Sequence, residues 1–331
     1  MKRITIMGDG GWGTALALRL HQAGCRVILW GPFPEVVAET ARQGENRLYL
    51  PGVPLPAGLT WTADPAVAVR EAELVVLAVP SKYCRDVYRR FAGLLPEGCP
   101  LLNVSKGLDM ESGRRLTELA ADFFPAHPVA ALSGPSHAEE VAREMPTAVV
   151  VAAVDQDLAT RVQAVFTGPR FRVYTSDDLV GTELGGAFKN VMAIAVGAGD
   201  GLGFGDNTRA ALITRGLAEM TRLGCALGAR PETFAGLSGM GDLIVTCTSK
   251  FSRNRAVGER LGRGESIEQI TAGMTQVAEG VTTCATALRL GRESGVRTPI
   301  IDEVHALIHE GKSPRSAVQS LLEREARPEL D

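Results

Sequence analysis

The segment that most restricts what this chain can fold into is Gly8-Asp9-Gly10-Gly11-Trp12-Gly13. It follows the apolar run Ile4-Thr5-Ile6-Met7 and leads into Thr14-Ala15-Leu16-Ala17-Leu18. A GxGxxG turn between a strand and a helix commits the chain to a βαβ unit in which the glycines do separate work. Gly8 permits the tight turn, Gly10 lets backbone N–H groups approach an anion, and Gly13 lets the helix pack closely on the sheet. The helix N-terminus adds partial positive charge. The turn predicts a cradle for a dinucleotide diphosphate.

The rest of the first half extends that unit. Apolar runs stand at 3–7, 26–30, 73–79, 100–105, 129–133 and 148–153, and most lack polar alternation, as strands buried on both faces do. They predict a doubly wound, Rossmann-like parallel sheet, with helices at 14–23 and 155–166 and a strand at 170–174. The segment 48–59 carries three prolines and reads as loop. After Ser176-Asp177-Asp178 the period becomes helical, at 179–197, 208–227, 254–261, 280–293, 300–309 and 314–325. The fold class is α/β followed by an all-α domain, with units at 1–177 and 178–331. The charged tail after Leu322 reads as solvated and frayed.

Composition narrows the partners. A net charge of −3 over 331 residues argues against broad nucleic-acid or anionic-membrane binding. No uncharged run reaches the ~20 residues of a membrane span, and the apolar stretch after Met1-Lys2-Arg3 is too short for a signal peptide. The expectation is a cytoplasmic protein without membrane insertion. The cysteines at 25, 84, 99, 225, 247 and 284 form no CxxC pair and read as free thiols. His305 and His309 lack a third ligand, so no metal site is expected.

Only six basic residues are lysines, so a lysine in an uncharged segment stands out, because lysine alone readily loses its proton. Lys106 lies in Asn103-Val104-Ser105-Lys106-Gly107, just past a strand end, where open α/β sheets bind ligands. Lys189 is the only charged residue between Glu183 and Asp200. It fits either a desolvated acid–base group or a snorkelling side chain. Ser252-Arg253-Asn254 opens a helix and fits either an ordinary cap or a phosphate site. Asp242, in Gly239-Met240-Gly241-Asp242-Leu243, either pairs with Lys189 or caps a helix, and the cap is the simpler reading. Strand two ends in Trp30-Gly31-Pro32-Phe33, with no acid for a ribose 2′-hydroxyl and no arginine for a 2′-phosphate. The choice between NAD and NADP stays open.

These motifs together resemble the bacterial-type NAD(P)-dependent glycerol-3-phosphate dehydrogenases over nearly the whole chain. The resemblance rests on Ser133-Gly134-Pro135-Ser136-His137-Ala138-Glu139-Glu140, Gly185-Gly186-Ala187-Phe188-Lys189-Asn190-Val191, Thr214-Arg215-Gly216-Leu217-Ala218-Glu219-Met220, Gly239 to Leu243, and Ser252-Arg253-Asn254-Arg255. It implies reversible hydride transfer between NAD(P)H and dihydroxyacetone phosphate, giving sn-glycerol 3-phosphate for glycerophospholipid synthesis, in a homodimer. Lys189 would be the acid–base residue, Lys106 would polarise the carbonyl near substrate and cofactor, and Asp242 would tune Lys189. Gly134, Ser136, Ser252, Arg253 and Asn254 would contact substrate. Gly8, Gly10, Gly11, Trp12, Gly13, Lys106, Ala138, Arg253, Val277 and Glu279 would line the cofactor. Pro32-Phe33 departs from the basic residue that often follows the second strand, and Thr275 to Glu279 match less distinctively. Two alternatives use the same layout: a 3-hydroxyacid dehydrogenase, which needs a carboxylate site, and a noncatalytic dinucleotide sensor, which needs no lysines.

Overall fold

The computed structural model describes every residue except Arg327, Leu330 and Asp331, so the end of the expected tail lies outside the described residues. Among the described residues eight strands form one sheet: β1 (Arg3–Met7), β2 (Arg26–Trp30), β3 (Thr60–Thr62), β4 (Leu74–Leu77), β5 (Leu101–Asn103), β6 (Val129–Ser133), β7 (Thr147–Ala153) and β8 (Phe171–Ser176). Their order is β3-β2-β1-β4-β5-β6-β7-β8. The chain leaves β1 for β2 on one side and later returns to β4 on the other. That reversal opens a crevice at the carboxyl edge beside β1.

Two features correct the sequence reading. The sheet is mixed: β7 runs antiparallel to β6, with Ala131 opposite Ala152, while β8 is parallel to β7. The connection from β6 to β7 holds only a five-residue helix, Ala138–Ala142. It turns at the carboxyl edge and re-enters the sheet from that same edge, so β7 must run backwards. β3 is the second addition; three residues, Thr-Trp-Thr, behind a proline-rich loop present no apolar run.

Apolar side chains fill both faces of the sheet, Ile4, Ile6, Leu16 and Leu20 on one, Trp30, Leu77, Tyr88 and Phe91 on the other. Beyond β8 the chain is helical, as its periodicity predicts. The central helix Leu179–Gly201 is apolar and long enough to cross a membrane, yet 83% of its most apolar stretch is buried inside the fold. It is the core of the helical half. Helix Arg253–Gly262 crosses it at backbone contact. A Cβ on Gly258 would lie 2.0 Å from the Ile194 carbonyl oxygen, and one on Gly197 2.1 Å from that of Arg255. That contact sets where Ser252, Arg253 and Asn254 stand.

Candidate active site

The glycine turn has the conformation its sequence demands. Gly8 adopts φ +127°, and a Cβ there would sit 2.4 Å from the Ala78 carbonyl oxygen. The helix begins at Gly11, three residues before its expected start, with Gly10 as an extended N-cap that has no capping side chain. Its first N–H groups therefore face a cavity of about 680 Å³. Two observations fit a dinucleotide there. Space is open where a Cβ on Gly10 would stand, and the Trp12 indole N–H is buried in the wall with no hydrogen-bond partner.

Most of the residues named from the sequence meet in this cavity. Gly8, Gly10, Gly11, Trp12, Gly13, Lys106, Ser136, Ala138, Lys189, Ser252, Arg253, Asn254, Val277 and Glu279 all line it. Gly134 and Asp242 do not; they stand behind the wall and hold what lines it. The Gly134 carbonyl, on backbone turned to φ +133°, accepts a hydrogen bond from Lys106 Nζ at 2.8 Å.

Asp242 is the hub. It begins the helix Asp242–Thr248, and its side chain caps nothing, which overturns the simpler reading. Lys106 donates to Oδ2 at 2.7 Å and Lys189 donates to Oδ1. Lys189 also donates to Thr246 Oγ1 at 2.7 Å, and Ser136 Oγ lies 3.4 Å from Lys106 Nζ. Lys189 and Asp242 are only 5% and 1% exposed, so Lys189 is not a snorkelling lysine. Burial outweighs the pull of Asp242 and, with repulsion from Lys106, brings Lys189 down to about 7. For Asp242 burial alone would raise the pKa. Lys106 and Lys189 more than reverse that and hold it below the usual carboxylate range. A buried carboxylate between two ammoniums leaves the cluster net positive and one lysine able to exchange a proton near neutrality.

Ser252 is the N-cap of its helix, accepting from the Arg255 N–H at 3.1 Å, and it lines the cavity as well. Cap and site coincide. Asn254 accepts from the Gly280 N–H at 2.8 Å and donates to Asn190 Oδ1 at 2.9 Å; Asn190 donates to the Lys106 carbonyl at 3.1 Å. This amide relay ties the helical half to the loop that carries Lys106. Arg253 Nη1 donates to the Val277 carbonyl at 2.8 Å. Glu279 accepts from the Ser81 N–H at 2.9 Å and from its hydroxyl, fastening the two halves together beside the cavity.

Three residues without an assigned role from sequence also belong here: His137, Asn190 and Thr246 line the cavity. Burial, with Lys189 and Lys106 adding, pushes His137 down to about 4, so its ring is neutral at pH 7. His137 and Asn190 lie within the Ser133 to Glu140 and Gly185 to Val191 motifs, whereas Thr246 shows only an i,i+4 spacing from Asp242, which many helices share.

The chain is similar over nearly its whole length to known proteins. Residues 3–159 match the family model of the NAD-dependent glycerol-3-phosphate dehydrogenase N-terminus, and residues 178–319 match that of its C-terminus. A glycerol-3-phosphate dehydrogenase (NAD(P)+) of Moorella thermoacetica is 49% identical over 328 residues, covering 99% of this chain and 98% of its own. One from Geobacter sulfurreducens is 48% identical over 331 residues, covering 99% of each chain. The crystal structure of glycerol-3-phosphate dehydrogenase from Coxiella burnetii superposes with a TM-score of 0.94 at 40% identity, covering 98% of this chain and 99% of its own. Fold, cavity and full-length similarity converge, and the chain belongs to the NAD-dependent glycerol-3-phosphate dehydrogenase family.

Proposed function

We propose that this chain catalyses the reversible NAD(P)-dependent reduction of dihydroxyacetone phosphate to sn-glycerol 3-phosphate, which feeds glycerophospholipid synthesis. The observation that carries the reading is the buried Lys189–Asp242–Lys106 cluster on the wall shared with the glycine turn. The glycine turn and the cavity it faces would hold a nicotinamide dinucleotide, which when bound would supply the hydride for the C2 carbonyl carbon. Lys189 gives its proton to the C2 oxygen, so no free alkoxide persists. Lys106 lowers the energy of the charge that develops on that oxygen, and Asp242 holds both ammoniums in place. Ser136, Ser252, Arg253 and Asn254 receive the phosphate end, where a helix N-terminus and a guanidinium suit a dianion. Gly134 acts through Lys106. Gly8, Gly10, Gly11, Trp12, Gly13, Ala138, Val277 and Glu279 hold the cofactor. Residues 1–177 serve as the cofactor domain and residues 178–331 as the substrate domain. The same reading carries a homodimer in the cytoplasm, which light scattering and cell fractionation measure.

One assay separates this reading from its alternatives. Oxidation of NADH and NADPH is followed with dihydroxyacetone phosphate, with unphosphorylated dihydroxyacetone and with 3-oxo acids. Turnover restricted to the phosphorylated ketone supports the reading. Turnover restricted to an oxo acid transfers the chain to the hydroxyacid dehydrogenases, and tight cofactor binding without turnover makes it a sensor.

A further inference from the structure

The strand that ordinarily decides between the two nicotinamide dinucleotides ends here without an acid, at Trp30-Gly31. Its neighbour supplies one. β1 and β2 pair in parallel with Met7 opposite Trp30, and the Gly8 N–H donates to the Trp30 carbonyl at 2.9 Å. Asp9 is thereby set beside Gly31. A Cβ built on Gly31 would lie 2.2 Å from Asp9 Oδ2 and 2.6 Å from its Cγ. The Asp9 carboxyl fills the space that a residue-31 side chain would need. It is 7% exposed and lines the cavity together with Trp30, Pro32 and Phe33. Among the described residues its carboxylate has no ion pair and accepts from no side chain; the Asn46 amide donates to the Asp9 backbone carbonyl instead, at 2.8 Å.

We propose that Asp9, reaching across from the glycine turn, stands in for the missing acid of the second strand, accepts hydrogen bonds from the adenosine ribose diol and selects NADH over NADPH. The inference deepens the functional reading above and rests on it for the identity of the ligand. Burial raises the Asp9 carboxyl to about 6, so it is ionised at neutral pH. Poorly solvated, it is a strong acceptor for hydroxyls, and the same lack of solvent makes it costly beside a 2′-phosphate. The surroundings offer that phosphate little. Helix Pro34–Gln43 begins with a proline, which has no N–H to donate, and carries Glu35 in its first turn. Arg90 also lines the cavity, and its chain neighbour Phe91 meets the Trp30 ring edge-on at 5.0 Å. Arg90 is exposed, and its attraction is screened accordingly.

The test is calorimetric titration of the full chain with NADH and with NADPH, without substrate, followed by steady-state kinetics with dihydroxyacetone phosphate. The wild type is expected to bind NADH about 10²-fold more tightly, the scale of a charge-assisted contact replaced by repulsion. Asp9→Asn should close that ratio by about tenfold or more, chiefly through tighter NADPH binding, and Arg90→Ala should leave the ratio in favour of NADH. Equal or tighter binding of NADPH by the wild type overturns the inference, whether or not the variants fold. So does an unchanged ratio in folded Asp9→Asn. Turnover of dihydroxyacetone phosphate with NADPH preferred sinks the inference and leaves the functional reading standing. NADH-selective binding with no turnover does the reverse.

Discussion

Replacing Asp242 by Asn tests the electrostatic core of the site, because it removes one charge and almost no volume. In the folded protein Lys189 sits at about 7, lowered by burial and by Lys106 and raised by Asp242. A unit charge at roughly 4 Å with an effective dielectric near 20 contributes about 4 kcal/mol, equivalent to about 3 pH units. Without it, burial and Lys106 repulsion act unopposed and carry Lys189 well below its native value. A lysine donates only when protonated, so kcat/KM for reduction falls as pH rises through that pKa. In the wild type the descending limb lies near 7; in Asp242→Asn it should move down by about 2 to 3 units. At pH 7 the protonated fraction drops about 10³-fold, while the more acidic ammonium donates faster and recovers roughly half of that logarithm, leaving a loss of about 30-fold. The assay is kcat/KM against pH, in the same buffers for both proteins. It is run below the unfolding transition of the variant, since breaking a buried ion pair costs about 3–5 kcal/mol. A descending limb that stays within about half a unit of the wild type refutes the assignment of Asp242 as the residue that sets Lys189.

Three further substitutions probe separate parts of the argument. Lys189→Ala should lower kcat by about 10²-fold or more, the scale of a lost acid–base group, with the fold intact by circular dichroism; near-wild-type turnover removes Lys189 from the proton transfer. Arg253→Ala should act mainly on KM for dihydroxyacetone phosphate, with a smaller effect on kcat, and an unchanged KM for substrate and cofactor alike discards the phosphate site. Gly258→Ala places a Cβ 2.0 Å from the Ile194 carbonyl, so the crossing helices must separate, at a cost of about 1–3 kcal/mol or more. Its midpoint in urea should fall and its substrate KM should rise as Ser252 to Asn254 move; an unshifted midpoint means that the two backbones do not touch as described.

The amino-acid sequence by itself determined what depends on near neighbours. A glycine at φ +127° followed by an open N-cap and a third close glycine is a local requirement, so the Gly8 to Gly13 turn was legible, as were the buried strands and the helical second half. Lys106, Lys189 and Ser252 to Asn254 were visible as chemistry without address, the last two with a plain structural alternative beside them. Only the tertiary structure showed that Lys189 is buried and that Ser252 is at once a helix cap and part of the cavity wall. Lys189 and Asp242 are 53 residues apart, and Lys106 and Asp242 are 136 apart. What brings them together is the crossing of buried helices over the carboxyl edge of the sheet, which no local periodicity encodes. The reversed β7 has the same origin, since a buried strand reads alike in either direction. Asp9 shows it most simply. Its position in a glycine turn suggests nothing about the end of another strand, and only the parallel pairing of β1 with β2 sets its carboxyl in the space left by Gly31.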